Sequence, residues 1–71
     1  MMEKNVFTVN GMKCVHCKAN VESAIRALSG VVSAEASLEN KNVTVEYDAP
    51  IVNPETIKTA VEASGRYEME L

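Results

Sequence analysis

The chain has 71 residues, 46% of them apolar and 24% charged, with a net charge of −3 and a pI near 5.0. This is enough for one small domain, which buries only roughly 60% of its unfolded surface and so needs a well-patterned core or staples. The composition argues against disorder, no apolar run approaches the roughly 20 residues of a membrane span, and the absence of a basic run argues against nucleic acid as a partner.

Aromatic residues are scarce, at 4%, so Val, Ile, Leu, Ala and Met must fill the interior. A mildly acidic body favours a partner with a positive patch, though weakly. The start, Met1-Met2-Glu3-Lys4-Asn5, lacks the apolar stretch of a secretory signal. A soluble, cytoplasmic protein is therefore expected, and paired cysteines in that compartment are more often metal-binding or redox-active than structural.

Lys4 to Asn10 reads as a strand, with Phe7 and Val9 on one face and Val6 and Thr8 on the other. Gly11 breaks it and opens the segment Met12-Lys13-Cys14-Val15-His16-Cys17, which gathers both cysteines and the single histidine within four positions. From about Cys17 to Leu28 the period becomes helical, with Val21, Ala24, Ile25 and Leu28 on one stripe. Glu22 and Arg26 are expected to pair on its wet face, and Ser29-Gly30 supplies the stop. A second strand runs from Val31 to Leu38. Its small Ala34 and Ala36 are weak strand formers, and larger residues such as Phe7 or Ile57 are expected to fill the space they leave.

Glu39 to Asn42 reads as a hairpin turn, and Val43, Val45 and Tyr47 alternate along the next strand. Asp48-Ala49-Pro50 ends that strand. Asn53 is a good helix N-cap and Pro54 suits the first helical position. Ile57, Ala60, Val61 and Ser64 repeat the helical spacing until Gly65, and Tyr67, Met69 and Leu71 alternate along a last strand. The order βαββαβ predicts an α+β, ferredoxin-like domain spanning 1–71. Its two helices cover one face of a four-stranded antiparallel sheet.

Two thiols three positions apart at a loop-to-helix junction can converge on one soft ion, or close on each other as a disulfide. Two thiolates without a nearby carboxylate suit a monovalent ion such as Cu(I), and two-coordination leaves the ion accessible. A closed structural Zn site uses four ligands, and this chain offers three at most, counting His16. A thioredoxin-like dithiol enzyme is the distant alternative. Its fold is longer and differently ordered, and its motif usually has Trp and Pro nearby, which this one lacks.

Gly11-Met12-Lys13-Cys14-Val15-His16-Cys17 resembles the Gly-Met-x-Cys-x-x-Cys motif of the heavy-metal-associated domain family. The resemblance extends through Leu28-x-Gly30-Val31, Leu38-Glu39-Asn40, Val43-x-Val45-x-Tyr47-Asp48 and the helix ending at Gly65. The His before the second Cys is most like the small bacterial copper chaperones. The chain departs from the family at Lys13, where Thr, Ser or His is usual. It departs again at Gly65-Arg66-Tyr67, where bacterial members commonly read Gly-Tyr. Either Arg66 is an insertion, or it replaces the tyrosine near the metal. The alternation of Tyr67, Met69 and Leu71 favours the insertion, because the other register buries Glu68.

The resemblance implies a carrier and not an enzyme. It makes Cys14 and Cys17 the metal ligands and Cu(I) their cargo. The partner it implies is the cytosolic metal-binding domain of a P-type copper ATPase, reached by thiolate exchange. A metal-free monomer and a copper-bridged dimer fit this reading, as does the alternative of a carrier or transporter domain for Hg or Zn. Met12 occupies the position at which the family packs a methionine beneath the loop. His16, between two ligands that share a face, is expected to point outward. Lys13, Lys18 and Arg66 are candidates to offset the negative charge of a bis-thiolate complex, though exposed charges interact weakly.

Overall fold

Six elements follow one another along the chain: β1 (Met2–Asn10), α1 (Val15–Arg26), β2 (Val31–Ser37), β3 (Asn42–Asp48), α2 (Pro54–Ala63) and β4 (Glu68–Glu70). The structure is a computed structural model and describes residues 2–71. The four strands form one antiparallel sheet in the order β2-β3-β1-β4. Phe7 and Val9 of β1, Val43, Val45 and Tyr47 of β3, and Met69 of β4 turn to one face. There they meet Val21 and Ile25 of α1 and Ile57 and Val61 of α2. The ferredoxin-like architecture follows from this alternation, because every strand has one dry face and both helices have one dry stripe. Among the described residues, no helix is long and apolar enough to cross a membrane.

The helix boundaries differ from expectation at α1. It begins at Val15, two residues before Cys17, because Cys14 takes the extended N-cap conformation (φ −154°, ψ 174°). It also stops at Arg26, and Leu28 lies in the following turn with its N–H donating to the Ile25 carbonyl at 3.1 Å. The β2–β3 turn falls at 38–41, so Leu38 lies outside β2 and Asn42 already belongs to β3. At α2 the expected signals operate: the Asn53 side chain accepts from the Thr56 N–H at 2.9 Å, and Pro54 opens the helix.

Glu22 and Arg26, expected to pair on the wet face, bond instead to the backbone of β2. Ser33, Glu35 and Ser37 direct their main-chain groups toward β3, as the pairing register requires, so those of Ala34 and Ala36 point off the sheet edge. The Arg26 guanidinium donates to the Ala34 carbonyl and the Ala36 N–H donates to the Glu22 carboxylate, both at 2.7 Å. Two side chains one helical turn apart thus stand in for a missing strand and close an edge that would otherwise invite pairing. The small alanines suit this arrangement, since α1 packs against β2.

Tyr67 and Met69 are both buried, and Arg66 and Glu68 are exposed. The dry alternation thus falls on Tyr67 and Met69, the register that the sequence alternation favours, and Tyr67 lies beside Cys17. The ordered strand is shorter than its sequence alternation, covering Glu68–Glu70 and pairing with β1 only from Thr8 to Asn10.

Candidate metal centre

The loop that carries the cysteines leaves β1 at Gly11, whose φ of +101° is open to glycine and costly for other residues. The position is doubly restricted, because a Cβ there would lie 2.6 Å from the Arg66 carbonyl oxygen. The cysteine loop and the α2–β4 connection therefore touch backbone to backbone. Met12 follows, partly buried against the core. It anchors the loop from below as an apolar side chain.

Cys14 is exposed at the N-cap of α1, and Cys17 is half-buried within its first turn. Both thiols are free, and the Cys14 thiol donates to the Cys17 sulfur at an Sγ–Sγ distance of 3.7 Å. This is far longer than the roughly 2.0 Å of a disulfide. The first turn of any helix leaves N–H groups without partners inside the helix, which favours negative charge there.

Cys17 titrates at about 7, below the ordinary thiol value of 9.0. The Lys13 backbone N–H lowers it most, followed by the Tyr67 hydroxyl and the Cys14 thiol, against a smaller opposing effect of burial. Lys13 acts here through its main chain and not its ammonium group. Tyr67 responds in the opposite sense: its phenol is raised, chiefly by Cys17, while Asn20 lowers it. The ring reaches this position because residue 65 is glycine; a Cβ there would stand 2.6 Å from the tyrosine ring.

Among the described residues, no group of three His, Cys, Asp or Glu side chains is placed to hold an ion. His16 is exposed and does not join the two thiols as a third donor. Arg66 lines a shallow groove with Asn10, Gly11 and Glu68, beside the start of the loop. Tyr67 beside Cys17, with Asn20 and Gly65 against the tyrosine, are the residues that motif spacing alone does not single out. The tyrosine after the α2 stop is the one sequence signal that points to them.

A ferredoxin-like sheet presenting two reduced, closely spaced thiols on a loop is the architecture of a small metal-binding domain. The heavy-metal-associated domain matches residues 6–67, and the chain belongs to that family. It is 45% identical over 64 residues to the copper chaperone CopZ of Staphylococcus aureus (strain MRSA252), covering 90% of this chain and 94% of that protein. A solved CopZ metallochaperone superposes with a TM-score of 0.91 at 41% identity, covering 96% of this chain and all of that one. The N-terminal domain of a potential copper-translocating P-type ATPase from Bacillus subtilis, solved in its Cu(I)-loaded state, superposes with a TM-score of 0.93 at 32% identity. That alignment covers 100% of this chain and 88% of the domain.

Proposed function

We propose that this protein is a cytoplasmic copper(I) chaperone that holds one Cu(I) between Cys14 and Cys17. It passes the ion by thiolate exchange to the metal-binding domain of a P-type copper ATPase. The observation that carries this reading is the pair of free thiols 3.7 Å apart, one exposed on the loop and the other titrating at about 7. Similarity to copper chaperones and to a Cu(I)-loaded ATPase domain supports both the cargo and the partner.

The two thiols divide the work. Cys17 is fixed in the helix and substantially ionised near neutrality, so it is the anchoring ligand. Cys14 is the exposed N-cap residue: its carbonyl is held by the Lys18 N–H, and its side chain makes no capping bond that would hinder rotation. An ion held linearly between the two sulfurs needs them farther apart than the 3.7 Å of the metal-free pair, so the pair opens on loading. Movement of Cys14 supplies that opening. In transfer, a partner thiolate binds the ion first and Cys14 then leaves; no electron changes hands and no bond-making chemistry is catalysed.

Cys14→Ser and Cys17→Ser test the assignment in an anaerobic competition with a Cu(I) chelator, with Zn(II) and Hg(II) titrated in parallel. Loss of tight one-to-one Cu(I) binding in both variants, with the fold retained, is expected. Native-like binding by either variant would remove the two-thiolate site. Tighter retention of Zn(II) than of Cu(I) would reassign the cargo.

A further inference from the structure

An asparagine is chemically labile when the next residue leaves its backbone nitrogen unhindered, because that nitrogen can attack the asparagine side-chain carbonyl. Five asparagines of this chain are poorly placed for such an attack. Asn5, Asn20 and Asn42 precede valines, whose branched side chains crowd the nitrogen. Asn40 precedes Lys41, and Asn53 precedes Pro54, which has no N–H. Asn10 alone precedes a glycine.

The fold sharpens this difference. The Asn5 amide donates to the Tyr47 hydroxyl at 2.7 Å, Asn20 lies inside α1, and the Asn53 side chain holds the Thr56 N–H. Asn10 is exposed at the end of β1, and its amide donates to the exposed Glu70 carboxylate at 3.1 Å. Among the described residues, the Gly11 N–H has no hydrogen-bond partner. A groove of about 220 Å³, lined by Asn10, Gly11, Arg66 and Glu68, admits water to the junction.

We propose that Asn10-Gly11 is a deamidation site with water as the co-reactant. The Gly11 nitrogen loses its proton and bonds to the Asn10 Cγ, and the side-chain nitrogen leaves as ammonia, closing a succinimide. Water then adds to one of the two ring carbonyls. Breaking the bond from Cγ to the Gly11 nitrogen leaves aspartate, and breaking the bond from the main-chain carbonyl leaves isoaspartate. No oxidant or reductant is needed.

β4 controls the first step. Ring closure requires the Asn10 side chain to leave Glu70 and its ψ to turn out of the extended range, and pairing with Glu68 restrains both. The product in turn weakens β4. A new carboxylate stands where an amide met Glu70, opposite Glu68 in the register, and like charges directly opposite oppose pairing. Isoaspartate also adds a main-chain carbon just before Gly11, which has no room for a side chain beside the Arg66 carbonyl. The deamidated protein therefore holds β4 less firmly, whatever ion the cysteines carry.

The test incubates the reduced, metal-free protein in heavy-oxygen water at mildly alkaline pH and maps its peptides by mass spectrometry. A protein isoaspartyl methyltransferase reports the isoaspartate. The expected result is one heavy oxygen at residue 10, gained severalfold faster than at any other asparagine. Glu70→Ala should speed this gain severalfold, and Asn10→Gln should remove it. In the deamidated protein, separated by ion exchange, cross-strand proton contacts between residue 10 and Glu68 should weaken. Labelling first at another asparagine, labelling of residue 10 in urea but not in the folded protein, a rate indifferent to Glu70→Ala, or unweakened cross-strand contacts would each overturn the proposal.

Discussion

The ring of Tyr67 occupies the space that a side chain on Gly65 would need, 2.6 Å from where a Cβ would stand. This pairing turns the tyrosine hydroxyl toward Cys17, fifty positions earlier in the chain, and makes it the second largest influence holding that thiol at about 7. In Tyr67→Phe, Cys17 should titrate between about 7 and 9.0, with the fold kept. The rise should be partial, because the larger influence of the Lys13 N–H remains. Thiolate absorbance followed against pH in a Cys14→Ser background reads this directly. An unmoved titration would show that the hydroxyl has no hold on the thiol.

The lowered Cys17 value has a consequence for stability. A depressed pKa means that the folded state binds fewer protons than the unfolded state between the two values. Stability from this source is fully present above the unfolded value of 9.0 and is lost as the pH falls through about 7. The reduced, metal-free protein should therefore become more resistant to urea between pH 7 and 9, and Cys17→Ser should lose that rise. Equal slopes in the two proteins would contradict the assignment.

Met12 packs against the core from a loop and is only partly buried. Met12→Ala should destabilise the metal-free protein by about 2 kcal/mol, the low end for a methionine-to-alanine change in a core. Its effect on intrinsic Cu(I) affinity should be small. Urea melts and chelator competition together decide. An unchanged midpoint with weakened binding would make Met12 a ligand.

His16 is exposed and forms no three-donor group with the cysteines. His16→Ala should accordingly leave monomeric Cu(I) affinity unchanged. Any effect belongs at excess copper, where a copper-bridged dimer can recruit the imidazole. X-ray absorption of the one-to-one complex provides the check: a nitrogen scatterer that disappears in the variant would establish a three-coordinate site.

Much of this architecture is legible in the chain. Period-two alternation locates the four strands, and Asn53-Pro54 marks the start of α2 to the residue. The two thiols stand out by spacing alone. What sequence reading misses has a common physical origin in contacts made far along the chain. Cys14 is not a preferred N-cap residue, so nothing local announces a helix starting at Val15. Glu22 and Arg26 have the spacing of a solvent-exposed pair, and only the placement of β2 beside α1 gives them backbone partners. The neighbourhood of Cys17 depends likewise on Tyr67 arriving from the far end of the chain. Arg66 shows the reverse case, since alternation in the following residues was enough to place Tyr67 and Met69 in the core and Arg66 and Glu68 outside it.

The brevity of β4 sets how the molecule opens. Three residues pair with β1 across a separation of about sixty positions, without the side-chain clamp that secures β2. A strand with only three paired residues, held in the core by Met69, opens at lower free energy than the whole domain unfolds. Tyr67 stands immediately before this strand, so each fraying event loosens the ring from Gly65 and exposes Cys17 to water, while the rest of the sheet stays closed. Amide exchange at Glu68 and Glu70 therefore serves as a clock for the breathing of the thiol site.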